Sequence, residues 1–248
     1  MNPASLEKKL VFGIRKFFKG AKRSKAVLGL SGGIDSAVVL SLLVKALGKE
    51  NVAALLMPNT AITKRQNVID AENLATELGA RHFVIEIDDF LRGFAGLPWE
   101  QNDIAKANLN ARVRAIILYD YANSSNALVA GTGNKSEFYM GYFTKYGDAA
   151  ADFFPIGGLY KKDVRALARH MGLPKEFLKK APSAELWEGQ EDEKEMQITY
   201  EVLDELLPLM LKEKKGEIPD GHKKTAERIS AAIKATAHKR NPPPTIKV

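Results

Sequence analysis

Residues 26–36, AVLGLSGGIDS, constrain this chain more than any other stretch. The apolar run Ala26-Val27-Leu28-Gly29-Leu30 predicts a strand buried on both faces, as in parallel sheets. The run from Ala37 to Val44, AVVLSLLV, predicts a helix packed on that strand. Between them lies the turn Ser31-Gly32-Gly33-Ile34-Asp35-Ser36. Its glycines admit positive φ and let an anion approach the backbone. Converging N–H groups and the partial positive charge of a helix N-terminus favour that anion. Ser31 and Ser36 add hydroxyl donors, and Asp35 is placed to hold a metal.

The rest of the chain repeats the alternation of apolar and amphipathic runs that marks α/β folds. Gly48 closes the first helix, and Val52–Met57 is a strand stopped by Pro58. Thr63 is expected to cap a helix running to Leu78, with Gly79 past its end. His82–Ile87 is expected to form a third strand, about Asp103 to Asn123 a long helix, and Ala127–Ala130 a short strand. Phe153-Phe154-Pro155 is read as ending another strand. Further helices are expected over Lys162–Met171, Asp192–Glu213 and Lys223–His238. The prediction is a doubly wound open parallel sheet with helices on both faces, as one domain over residues 1–248. The long helix is apolar on two faces, so its second face meets the rest of the core or a second subunit. A homodimer is the favoured expectation.

With 248 residues the chain can bury a full core. It has no cysteine, which excludes disulfides, thiolate metal sites and covalent sulfur chemistry. No apolar run is long enough to span a bilayer, so no membrane partner is expected. The N-terminal Lys8, Lys9, Arg15, Lys16 and Lys19 interleave with Leu6, Leu10, Val11, Ile14, Phe17 and Phe18. That is an amphipathic helix rather than a signal peptide, and a cytoplasmic location is the expectation. The net charge of +7 fits nucleic acid, an anionic small substrate or a lysine-rich surface. Because the basic residues are spread along the chain, no nucleic-acid partner is expected.

Two familiar phosphate loops are excluded. A Walker loop needs Lys where this chain has Asp35-Ser36, and Gly29, Gly32 and Gly33 do not match the Rossmann glycine order. SGGxDS instead resembles the loop of the N-type ATP pyrophosphatases. A second polar glycine loop, Gly131-Thr132-Gly133-Asn134-Lys135-Ser136-Glu137, follows another strand. Both loops fall at the carboxyl edge of a sheet, where ligands bind. Asp35 and Glu137 can share one Mg²⁺ across the phosphates of ATP. Tyr142 to Asp152 sets aromatic and charged residues around small ones, which suits a ring-bearing anion. Gly157 to Asp163 then opens a helix with a Lys placed to neutralise phosphate. The polar stretch Ser183–Glu193 holds one Trp and is read as a lid.

The order SGGIDS, GTGNKSE, GYFTKYGDAAADFFPIGGLYKKDV, PSAELWEGQEDE and HKR resembles ammonia-dependent NAD synthetase from about Lys25 to the end. The resemblance implies a ligase that forms NAD from deamido-NAD, ATP and ammonia through an acyl-adenylate, releasing AMP and pyrophosphate. It implies that Gly29, Leu30, Ser31, Gly32, Gly33, Ile34, Asp35 and Ser36 hold ATP phosphates, with Thr132, Lys161 and Ser183 as further ATP contacts. Asp35 and Glu137 become the Mg²⁺ ligands and, with Lys161, the catalytic set. Arg112, Lys145, Asp152, His238 and Lys239 become deamido-NAD contacts, some reaching from a partner subunit. Ser183 stands where many members carry Thr, and Glu185 where many carry Asp. Glutamine-dependent relatives carry an extra amidohydrolase domain, so free ammonia or ammonia from a separate protein is the expected donor. Asp148 is a candidate acceptor for the ammonium proton. Two other readings stay open. One is another enzyme of the superfamily, such as a tRNA sulfur transferase or a GMP synthetase-like domain. The other is a regulatory nucleotide-binding module without turnover.

Overall fold

Strands β1 (Lys25–Gly29) and β2 (Val52–Leu56) bury almost every side chain because each residue faces one of two helical layers. Ala26 and Leu28 of β1 join one core with Val52, Ala54 and Leu56 of β2, while Val27, Ala53 and Leu55 join the other. That is the two-residue period of a strand read out on both sides. Each fully buried leucine, such as Leu28 or Leu55, contributes about 2 kcal/mol of transfer free energy.

The computed structural model describes residues 2–183 and 189–246. Its sheet is parallel, with β3 (Arg81–Val84) and β4 (Ala127–Val129) flanking in the order β3-β2-β1-β4. Helices α1 (Pro3–Ala21), α2 (Ile34–Leu47), α3 (Arg65–Glu77) and α7 (Lys161–His170) pack on one face with the short α8 (Lys175–Lys179). The long α5 (Asp103–Ser125) covers the other, beside α4 (Asp88–Arg92). A third cluster gathers α10 (Tyr200–Met210) and α11 (Lys223–Ala235) around Tyr160, near α6 (Lys135–Met140), α9 (Asp192–Met196) and α12 (Ala237–Arg240). The doubly wound parallel sheet expected from the sequence is therefore present. No helix among the described residues is long and apolar enough to cross a membrane.

Several boundaries differ from expectation. Helix α3 starts at Arg65, and the Thr63 hydroxyl instead accepts the Asn59 N–H at 3.1 Å, closing a turn. Strand β3 stops at Val84; the N–H groups of Ile85 and Ile87 still donate to Leu56 and Pro58 carbonyls. Phe153 contributes one bridge, to Ala130, rather than a strand. The helix expected over Asp192–Glu213 breaks at Gln197, whose φ of 52° is left-handed, and Thr199 caps the new helix through the Val202 N–H. On the second apolar face of α5, Ala111, Ala115 and Ala122 are buried within the chain and Ile104 is 69% exposed, while Ile116 on the other face is 67% exposed.

Candidate active site

The order β3-β2-β1-β4 makes the chain leave β1 and β4 toward opposite sides, which opens a crevice at their carboxyl ends. A cavity of about 440 Å³ lies there. Both glycine loops face it. Of the expected ATP residues, Gly29, Leu30, Ser31, Gly33, Ile34, Asp35, Ser36, Thr132, Lys161 and Ser183 line the cavity. Gly32 lies behind the wall, and its carbonyl accepts Lys180 Nζ at 3.3 Å.

The first loop is held by its own hydroxyls. Ser36 Oγ accepts the Ser31 N–H at 3.3 Å and donates to the Gly33 carbonyl at 3.0 Å. Ser31 Oγ accepts the Gly33 N–H at 3.3 Å. Gly33 is the N-cap of the 14-residue α2 and offers no side-chain acceptor, and the helix's first residues, Ile34, Asp35 and Ser36, line the cavity. Gly32 has φ +76°, and a Cβ there would stand 2.4 Å from the Asn67 carbonyl oxygen. Only glycine makes this bend. At Gly131 of the second loop, a Cβ would meet the Phe154 ring at 2.3 Å.

The charged centre is assembled from three elements. Lys161, the first residue of α7 and 2% exposed, donates to Asp35 Oδ2 at 2.5 Å and Glu137 Oε1 at 3.0 Å. Its ammonium also lies 5.0 Å from the centre of the Tyr200 ring. Asn134 fixes both carboxylates. Its Nδ2 donates to Asp35 Oδ1 at 3.0 Å, and its Oδ1 accepts the Glu137 N–H at 3.1 Å in a capping box. Tyr200 Oη stands 3.1 Å from Asp192 Oδ2 and 3.4 Å from Glu137 Oε1. Asp35 and Glu137 thus share one ammonium, and Asp192 joins them through the Tyr200 hydroxyl. Burial is the main force pushing the Glu137 carboxyl up to about 7; Lys161 opposes it, and Asp35 and Asp192 add to it. Burial acts to lower Lys161, but the Asp35 and Glu137 charges outweigh it and the group is raised.

On the cavity wall Asp148 is exposed, and the Thr144 N–H donates to its Oδ1 at 2.7 Å. Desolvation by the surrounding protein raises its carboxyl. Lys239 lines the same wall but donates its ammonium to the Gly141 and Phe143 carbonyls at 2.7 and 2.8 Å, and desolvation lowers it. The remaining residues expected to meet deamido-NAD lie elsewhere. Asp152 lines a separate cavity of about 260 Å³ with Arg23, Tyr119 and Asn123, its Oδ2 accepting the Val129 N–H at 2.7 Å. Arg112 is exposed and donates to the Lys145 carbonyl at 3.4 Å, and the Lys145 ammonium lies over the Tyr146 ring. His238 is exposed and lines neither cavity. Residues 184–188 of the expected lid, with Glu185 and Trp187, fall outside the described residues.

The sequence reading missed Asn134, Tyr200 and Asp192 as parts of this centre. Asn134 had a signal, since Asn-x-x-Glu before a helix is a capping-box pattern. Asp192 lay in the stretch read as a lid rather than as part of this centre, and Tyr200 had no signal, because only the fold brings it to Glu137.

A model of the NAD synthase family matches residues 6–243. The NH(3)-dependent NAD(+) synthetase of Archaeoglobus fulgidus is 49% identical over 244 residues, 97% of each chain. Two solved structures superpose over the full length of both chains. One is the NMN synthetase from Francisella tularensis, at TM-score 0.90 and 38% identity. The other is the NH3-dependent NAD synthetase from Campylobacter jejuni in complex with the nitrate ion, at 0.80 and 34%.

Proposed function

This chain belongs to the NAD synthase family and carries out the ATP-dependent amidation of deamido-NAD to NAD, and we propose that the cavity beyond β1 and β4 does this through an acyl-adenylate. The observation that carries the proposal is the open N-terminus of α2 facing the same space as Asp35, Glu137 and Lys161. A carboxylate is a poor electrophile, so it must first be given a leaving group. The nicotinate carboxylate oxygen attacks the α-phosphorus of ATP, and the bond to pyrophosphate breaks. Ammonia then attacks the acyl carbon, and AMP leaves with the bonding electrons.

Each group has a role in that sequence. The Ser31–Ser36 turn and the first N–H groups of α2 grip the β- and γ-phosphates. Lys161 supplies positive charge where the phosphoryl oxygens become more negative. Asp148, raised by desolvation, takes the proton that ammonium must lose. Lys239, Asp152, Arg112, Lys145 and His238 are kept as deamido-NAD contacts, the dispersed ones completing a site shared with a partner subunit. Exposed Ile104 and Ile116 on α5 support the homodimer, which sedimentation at micromolar concentration tests. A cytoplasmic location and a single domain over residues 1–248 are kept in the same reading.

Mg²⁺ fits the charged centre. The donors are the hard carboxylate oxygens of Asp35 and Glu137, which converge on one point with a single ammonium between them. Asp35 and Glu137 would hold the ion, which would neutralise phosphate oxygens.

The test supplies ATP, Mg²⁺ and ammonium with deamido-NAD or nicotinate mononucleotide carrying ¹⁸O in the carboxylate. NAD, stoichiometric pyrophosphate and AMP bearing one ¹⁸O are expected. ADP as product, or unlabelled AMP, would refute the adenylate. The fold shared at TM-score 0.90 with an NMN synthetase favours the mononucleotide as the second acid to try, and turnover of it alone would shift the substrate while keeping the chemistry.

A further inference from the structure

Glu137 and Lys161 sit on different helices, α6 and α7, yet must meet Asp35 at one point. Neither helix alone fixes that meeting. Tyr160, the N-cap of α7, offers no side-chain acceptor to the helix. The acceptors come instead from α6 and α10. Asp204 Oδ1 accepts the Ser136 hydroxyl at 2.5 Å, and Oδ2 accepts the Lys162 N–H at 2.6 Å. Ser136 Oγ in turn accepts the Lys161 N–H at 3.0 Å. Lys162 Nζ closes the set by donating to the Asp204 carbonyl at 2.8 Å. One carboxylate therefore ties the residue before Glu137 to the residue after Lys161.

Asp204 is wholly buried, on the helix that also delivers Tyr200 to Glu137. Leu203, Leu206 and Leu207 anchor that helix in its own apolar cluster. Burying a carboxylate is costly, and an apolar side chain of similar size often serves stability as well. What a leucine cannot do is accept from two helices at once.

We propose that Asp204 is a positioning residue for adenylation, holding the first turns of α6 and α7 in the register that brings Glu137 and Lys161 together. This rests on the reading above that those two groups act on ATP. A displacement of about 1 Å at a reacting centre is enough to cost on the order of 100-fold in rate.

The experiment compares wild type, Asp204→Asn, Ser136→Ala, the double variant and Leu207→Ala, all assayed below their melting temperatures with Mg²⁺-ATP, deamido-NAD and ammonium. Asp204→Asn is expected to lower kcat at least fivefold with KM for ATP changed less than threefold, because the shift is felt most in the transition state. Ser136→Ala should lose a similar factor, and the double variant no more than the worse single, since both act through one link. Leu207→Ala lowers the melting temperature through the core of the same helix and should keep kcat within twofold. A loss under fivefold in Asp204→Asn overturns the proposal, as does an equal loss in Leu207→Ala. Should Asp204→Asn fail to fold, Ser136→Ala decides at the same threshold. If wild type makes no NAD, the functional reading has failed, and crystal structures of wild type and Asp204→Asn then decide the positioning. Loss of either Lys161 contact supports it, and retention of both overturns it.

Discussion

Replacing Lys161 by methionine removes the ammonium that Asp35 and Glu137 share, and the cost should depend on pH in a way that a packing defect would not. Methionine keeps most of the stem's volume over the Tyr200 ring, so cavity terms stay small. The lost attractions are large. At an effective dielectric near 20, two unit charges about 3 Å apart interact by about 5 kcal/mol, and Lys161 makes such contacts to both Asp35 and Glu137. The protein need not bear that whole loss, because a buried carboxylate without a counter-ion takes up a proton. Protonating a carboxyl whose unfolded value is near 4 costs about 1–2 kcal/mol at pH 5 and about 5 kcal/mol at pH 8. Glu137, already at about 7 beside Lys161, bears about 4 kcal/mol of that cost at pH 8 in the wild type, so its added deficit is about 1 kcal/mol there and near zero at pH 5. The sign follows from linkage. A carboxyl raised in the folded state, as Glu137 already is at about 7, contributes stability below its unfolded value that is lost as pH rises through the folded one. Removing Lys161 pushes that folded value further up. Urea unfolding of the wild type and Lys161→Met, without nucleotide, at pH 5 and pH 8 measures the difference. The deficit should be several-fold larger at pH 8. An equal deficit at the two pH values, or a larger one at pH 5, would refute the electrostatic account and leave Lys161 as a packing residue.

Two further substitutions probe the loops. Gly32→Ala places a Cβ 2.4 Å from the Asn67 carbonyl at φ +76°, and should cost about 2–4 kcal/mol in chemical denaturation while raising KM for ATP. An unchanged KM would mean that the bend does not shape the phosphate site. Asn134→Ala removes the acceptor of the capping box and the donor to Asp35, and should cost about 1–2 kcal/mol in stability with a roughly tenfold loss of pyrophosphate release. A stability loss without a rate loss would make Asn134 a helix cap alone.

The two glycine loops were legible because their function is local. The turn after β1 needs glycine at a left-handed position, hydroxyls within five residues and a helix start, all within one hexapeptide. The sheet was legible because strands buried on both faces carry unbroken apolar runs. The break at Gln197 was hidden, since Asp192 to Glu213 keeps a helix-compatible composition and a left-handed glutamine leaves no mark in sequence. Thr63 misled for a related reason: a threonine hydroxyl closes a turn as readily as it caps a helix, and the choice depends on where the Asn59 N–H lies. The charged centre shows the same limit more strongly. Asp35, Glu137 and Lys161 each lie in a motif, but Tyr200 and Asp204 reach the centre from α10, which packs beside Ser136 and Lys162 and lies outside every motif. Residues that the two glycine loops present to the cavity are thus confined to short turns whose backbone must take one shape. Residues that aim those loops need only an acceptor at the right place, which any well-packed helix can present. The motifs therefore mark the loops that frame the cavity, and the groups that brace the charged centre, Tyr200 and Asp204, come from a helix outside those motifs.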